Sequence, residues 1–197
     1  PKLSKIHRFG ALSIPNTRQN YQKFIDLAHV YTKNGIYQLT DFYIHFYNEF
    51  CKKATTDEHY WTNSLNSPKQ NSWYGLAFER LCMSHIPQIK KALGVERIHT
   101  EYYSWRSKES ETPAQIDLVI ERADQINNIC EIKYSKADYS ISAEEEERRL
   151  QNRINDFEEE TKSRNATHLT LITTFGLKAN SHSSEINNVV LMDDLFT

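Results

Sequence analysis

Asp117, Glu131 and Lys133 combine the residue types and spacing with the greatest chemical potential in this chain. They lie in two stretches, Gln115-Ile116-Asp117-Leu118-Val119-Ile120 and Ile129-Cys130-Glu131-Ile132-Lys133, that alternate with the two-residue period of half-buried strands. Ala123-Asp124-Gln125 between them supplies a polar turn, so the pair reads as a hairpin. Side chains two residues apart leave the same face of a strand, which puts Glu131 with Lys133 and sends Cys130, Ile132 and Tyr134 to the other face. Pairing that sets Asp117 near Glu131 brings two carboxylates beside one ammonium in an otherwise apolar sheet. Such a place suits Mg²⁺ or Mn²⁺, hard cations held by one or two carboxylates together with water and substrate phosphate. A lysine there orients bound water and stabilises charge on a phosphodiester. Gln115, at the head of the first strand, is a candidate polar contact to substrate or water. An isolated Glu-x-Lys is also what a strand carries on a solvated face.

The elements that position these residues follow from capping and periodicity. Ser72 is an expected cap for a helix to about Ile86, with Leu76, Ala77 and Leu81 inward and Glu79 within it; Pro87 suits the first turn of a continuation closed by Gly94. Val95 to Trp105 reads as a strand, followed by a charged loop from Arg106 to Thr112. Ser142 with Glu145 forms a capping box for a helix to about Arg164, with a buried stripe of Leu150, Ile154 and Phe157. Its Arg148, Arg149 and Arg153 point away from that stripe; they could meet phosphates, but on an acid-rich helix they are expected to pair with glutamates one turn away. His168 to Thr174 reads as a buried strand and Val189 to Met192 as a short last one. Helix, three strands, helix, strand, strand is an α/β order with a mixed sheet flanked by helices.

Upstream, Thr17 to Tyr31 has helical spacing and ends at Asn34-Gly35. Thr40 is an expected cap for a second helix on which Tyr43, Phe46, Tyr47 and Phe50 form a core-type stripe. Residues 54–71 are polar, with Asn, Ser and Pro, and read as a linker. The expected organisation is an N-terminal helical appendage over 1–60 and a main domain over 72–197.

The chain of 197 residues is long enough for a substantial core. It has no apolar run of membrane-spanning length and no basic-then-apolar leader, so it is expected to be soluble and unsecreted, with no membrane partner. Three widely separated cysteines argue against a disulfide framework and a zinc knuckle, and fit a reducing cytoplasm. No glycine-rich phosphate loop is present, which argues against P-loop ATP hydrolysis by this chain. The net charge of −2 conceals an asymmetry: eight basic against three acidic residues over 1–53, and nine against seventeen over 111–197. A nucleic-acid partner requires a positive surface, so the acidic last part weighs against stand-alone DNA binding, although much of its acid is local, Glu144 to Glu147 facing the positive end of a helix dipole.

Asp117, thirteen intervening residues, then Glu131-Ile132-Lys133, preceded by a helix carrying Glu79, resembles the PD-(D/E)XK nuclease superfamily, which has the restriction-endonuclease-like fold. Trp73-Tyr74-Gly75-Leu76-Ala77-Phe78-Glu79, Ala114 to Ile120, Cys130 to Lys133, His168 to Thr174 and Asp193-Asp194-Leu195-Phe196 resemble the C-terminal nuclease-like domain of bacterial, especially Bacteroides-type, ATPases of the AAA superfamily, over roughly residues 36–197. Pro113 departs from the glycine common before this Ala-Gln-Ile-Asp element. The resemblance implies a restriction-endonuclease-like core with a central mixed sheet, and Mg²⁺-dependent cleavage of DNA. It implies catalytic Asp117, Glu131 and Lys133, metal ligation by Asp117 and Glu131 with Glu79 as third carboxylate, and an upstream ATPase region or partner. The alternative it leaves is a catalytically inactive module of the same fold that binds DNA or docks on an ATPase.

Overall fold

The computed structural model describes residues 41–52, 56–107, 114–141 and 144–197, the last segment with side chains from Arg149 onward. The expected Thr17–Tyr31 helix, most of the Arg106–Thr112 loop and the Ser142 cap lie outside the described residues. The chain divides into two compact units with a boundary between Tyr60 and Trp61. Among the described residues no helix is long and apolar enough to cross a membrane.

In the first unit, α1 (Phe42–Phe46) is capped by Asp41, whose carboxylate accepts from the Ile44 amide at 2.9 Å, and it runs on into a π-helical turn, Tyr47–Cys51. Phe50 is buried and lies against Phe46, whereas Tyr43 and Tyr47 are exposed. The expected stripe is therefore only partly core, because the wider π turn breaks the 3.6-residue spacing that would hold all four rings on one side.

A short helix, α2 (Tyr60–Asn63), starts at the boundary, inside the stretch expected to be a linker, and α3 (Pro68–Ser84) follows in the second unit. Helix α3 starts earlier than the sequence predicts. The Ser67 hydroxyl accepts from the Gln70 amide at 3.2 Å and Pro68 occupies the first turn, so Ser72 lies inside the helix and the expected linker ends before Pro68. Helix α4 (Ile86–Ala92) ends in a Schellman motif: Gly94, at φ +68°, donates to Lys91 and Val95 donates to Lys90, both at 2.9 Å. That geometry takes Val95 out of the next strand, and β1 runs only over Thr100–Arg106.

Strands β2 (Gln115–Arg122) and β3 (Ile126–Lys133) form the predicted hairpin through Ala123–Gln125, with Gln125 at φ 65°. Helix α5 (Glu144–Thr161) crosses over to β4 (Ala166–Thr173), and β5 (Asn188–Leu191) leads into a terminal 3₁₀ turn, Met192–Phe196. The sheet order is β1-β2-β3-β4-β5, antiparallel through the first three strands and parallel from β3 onward. The molecule is thus α/β, with a five-stranded mixed sheet flanked by helices.

Each sheet face has its own core. On one, Phe78 and Cys82 of α3 and Ile86 and Ile89 of α4 pack against Leu118, Ile120, Cys130, Ile132 and Ile172. On the other, Ile154 and Phe157 of α5 pack against Ile116, Val119, Ile129 and Leu169. β3 is the central strand, buried on both sides, so any polar side chain on it needs a partner. At its start Asn127 bonds Ser163 and Asn165, and Asn128 bonds Thr170. At its end stand Glu131 and Lys133.

Candidate metal and phosphodiester site

The site forms where β2 departs from its neighbours. Tyr103 pairs with Val119 but Trp105 pairs with Ile116, so β2 holds one residue more than β1 over this interval. This β-bulge explains why Ile116 and Val119, an odd number of residues apart, share the α5 face of the sheet. Asp117 sits within it. Its carbonyl accepts from the Ser104 hydroxyl at 2.8 Å, and its carboxylate accepts from the Ile132 amide at 3.3 Å. Regular pairing with β3 stops at Leu118 opposite Cys130, which leaves the Ile132 amide free to make that bond. Burial and the neighbouring Glu131 charge raise the Asp117 pKa, and the Ile132 amide, Lys133 and Arg153 oppose them.

Glu131 is 7% exposed and lies on the α5 side with Ile129. Both its oxygens are occupied: Lys133 Nζ lies 2.6 Å from Oε1, and an Arg153 guanidinium nitrogen donates to Oε2 at 2.6 Å. Arg153 comes from α5, 22 residues away in sequence. The expected pairing of Arg153 with a glutamate on its own helix gives way to this longer-range bond. Leu150, Arg153, Ile154 and Phe157 have i, i+3, i+4, i+7 spacing, so Arg153 belongs to the stripe that α5 turns toward the sheet. That spacing was the signal for a buried acid partner. Glu131, Lys133, Arg149, Leu150 and Arg153 line a small cleft of about 30 Å³.

Glu79 approaches from the α3 side. Helix α3 is anchored there by Phe78 and Cys82 in the core and by Tyr74, whose ring stacks on Tyr134 at 5.2 Å just beyond the end of β3. The Glu79 pKa is pushed up to about 7, first by burial, then by the Asp117 charge, against the pull of Lys133, with Glu131 adding to the rise. Two helices on opposite faces thus bring Glu79 and Arg153 to the same end of the sheet, and Asp117 in the bulge interacts electrostatically with both. Gln115 stands apart: it is exposed, and its side-chain oxygen accepts from Arg106 at 2.6 Å.

The chemistry of the donor set fits a hard divalent cation. Glu79, Asp117 and Glu131 offer only carboxylate oxygens; burial and then Asp117 raise the Glu79 pKa, and burial and then Glu131 raise that of Asp117, a repulsion that a cation relieves. Among the described residues no group of three His, Cys, Asp or Glu side chains is gathered tightly enough to hold a metal as it stands. Mg²⁺ needs only one or two carboxylates once substrate phosphate and water complete its shell. A larger cleft of about 290 Å³ lies elsewhere, between α5 and the β4–β5 segment, lined by Gln151, Glu158, Thr167 and Asn187 among others. No protein-family model matches the chain, and no curated protein or solved structure is significantly similar to it.

Proposed function

We propose that the second unit is a Mg²⁺-dependent DNA phosphodiesterase with a restriction-endonuclease-like core of the PD-(D/E)XK type, working beside an upstream ATPase region or partner. The observation that carries this proposal is the electrostatic coupling of Glu79, Asp117 and Glu131 beside Lys133 at the bulge of β2. Asp117 and Glu131 are the ligands, and Glu79, with its pKa near neutrality, is the carboxyl readiest to release a proton when positive charge arrives. A bound Mg²⁺ would polarise a phosphate oxygen and lower the pKa of a bound water. Lys133 orients that water and balances charge gathering on the phosphate, for which a compact ammonium on a flexible stem is suited. Gln115, two residues before Asp117 and exposed, is the substrate contact of this scheme.

A second account is favoured by one specific feature, the occupation of both Glu131 oxygens by Lys133 and Arg153. A carboxylate neutralised in this way is what a catalytically inactive module would carry if it kept the fold to bind DNA or dock on an ATPase.

Calorimetric titration with Mg²⁺ and Mn²⁺, paired with cleavage assays on duplex, single-stranded and branched DNA, separates the two. The catalytic account expects Asp117→Asn and Glu131→Gln to weaken ion binding, and Lys133→Met to abolish cleavage while keeping most ion affinity. Absence of divalent-ion binding by the wild-type protein at millimolar concentration, with all three variants alike, would leave the non-catalytic module standing.

A further inference from the structure

The two strands that end beside the site continue into loops that bind each other. β3 and β4 run parallel, with Lys133 opposite Thr173. Just beyond that pair the Ser135 amide donates to Thr174 Oγ1 at 2.9 Å, and the Thr174 hydroxyl donates to the Ser135 carbonyl at 2.6 Å. Further out, Tyr139 and Leu177 form a parallel bridge: the Tyr139 amide donates to the Gly176 carbonyl at 2.6 Å, and the Lys178 amide to the Tyr139 carbonyl at 2.8 Å. A Cβ at Gly176 would stand 2.8 Å from Asp138 Oδ1, so the loops touch there as well. Phe175 lies between these two sets of bonds, which fix its backbone. Its side chain is nevertheless 51% exposed, directly after the buried Thr173 and Thr174.

Single exposed apolar side chains are common on any protein surface. Phe175 differs in its place. It follows two residues after the strand partner of Lys133, at most about 7 Å further along the chain. Tyr102, by contrast, pairs with Ile120 toward the other end of the sheet, and Phe196 has the His85 ring against it at 5.5 Å. The charged residues of the two loops are Lys136, Asp138 and Lys178, and Lys136 is engaged by Asn66 Oδ1, so what the projection offers a ligand is chiefly the ring.

We propose that Phe175 is a base-stacking platform, and that the site acts on DNA whose nucleotide beside the scissile phosphate is unpaired. The inference rests on the DNA phosphodiesterase function proposed above and names its substrate class. In a duplex the faces of the bases are covered by their neighbours in the stack, and a protein ring meets one only where a nucleotide is single-stranded, frayed or displaced. Every base has such a face, so the contact selects the state of the strand and not its sequence. Because the Phe175 backbone is ordered before DNA arrives, stacking does not have to offset the entropy of fixing a loop.

The test measures binding of a fluorescein-labelled single-stranded oligonucleotide and of a hairpin duplex by fluorescence anisotropy in Ca²⁺, and cleavage of both in Mg²⁺, for the full wild-type chain, F175A, F175L and F175W. Wild type should bind the single strand more tightly than the duplex. F175A and F175L should weaken single-strand binding by about fivefold to a hundredfold, with the salt slope kept because no phosphate contact is lost. F175W, which keeps a ring, should retain the affinity. Circular dichroism checks the fold of each variant, and F175L carries the comparison if F175A does not fold. Wild-type single-strand affinity in F175A and F175L, or a duplex preference in wild type, overturns the platform, and cleavage by the wild-type chain then leaves the phosphodiesterase standing. Phe175-dependent binding without cleavage of either DNA supports the platform and overturns the phosphodiesterase in favour of the non-catalytic module. Binding of neither DNA by the wild-type chain overturns both.

Discussion

Neutralising Asp117 and neutralising Glu131 have opposite consequences for the ion-free fold, because cations sit on both oxygens of Glu131 alone. Asp117 is raised in pKa by burial and by Glu131, so Asp117→Asn removes an unfavourable charge and is expected to raise the midpoint of urea unfolding. Glu131→Gln instead strands Lys133 and Arg153 and is expected to cost roughly 1.5–3 kcal/mol by the same measurement. Glu79 sets a pH dependence of its own. Its folded value of about 7 lies above the ordinary 4.5, so the folded state holds a proton that the unfolded chain has released between those values. The resulting stabilisation is complete below 4.5 and is lost as pH rises through about 7. Its ceiling is about 3 kcal/mol, reduced by solvent screening at a partly exposed group to on the order of 1–2 kcal/mol. Glu79→Gln should therefore match wild type in acid and exceed it in stability above neutrality, a divergence that thermal unfolding across the pH range will show or refute.

At the scale of elements, the bulge in β2 is the device that turns Asp117 from a ladder residue into a site residue. Ser104 on β1 holds its carbonyl at 2.8 Å, so Ser104→Ala should cost about 1 kcal/mol and weaken divalent-ion binding without touching a ligand. Unchanged ion affinity in that variant would mean that the bulge is held by pairing alone. The five strands and the helices α3 to α5 were legible from period and composition, and the β2–β3 hairpin with its turn at Ala123–Gln125 emerged as predicted, whereas α2 lies inside the polar stretch read as a linker. Boundaries failed where a cap overruled a pattern. Ser67 and Pro68 start α3 before the apolar run begins, and the Schellman end of α4 consumes the Val95 amide that a longer β1 would have used. The bulge had no sequence mark, because Asp117 carries no glycine or proline beside it and the alternation of Ile116, Leu118 and Ile120 looks regular.

For the whole molecule, the boundary between Tyr60 and Trp61 predicts that a chain lacking residues 1–60 still folds cooperatively. A single sigmoidal unfolding transition in the truncated protein is the expected outcome; loss of near-ultraviolet circular dichroism would show that the two units fold as one. The charge asymmetry adds a second expectation. Residues 1–53 carry eight basic and three acidic side chains, whereas 111–197 carry nine and seventeen. The full chain should therefore bind DNA more tightly than the truncated one at low salt, with the difference closing as salt is added. A difference insensitive to salt would point to contacts other than charge.

What the sequence determined by itself was local: where the five strands and the longer helices lie, and that Glu131 and Lys133 share a side of β3; the face of Ile116 escaped it, because alternation groups Ile116 with Leu118 and Ile120 whereas the bulge turns it to the α5 side with Val119. Periodicity and capping depend on neighbours within a few residues, and those are written in order along the chain. The meeting of Glu79 from one helix, Arg153 from another and Asp117 from a bulge was decided by tertiary structure alone. It required the sheet to bury both faces of β3, so that a charged Glu131 near the end of that strand had to find a cation across 22 residues. It also required an extra residue in β2, visible only when a neighbouring strand is laid against it.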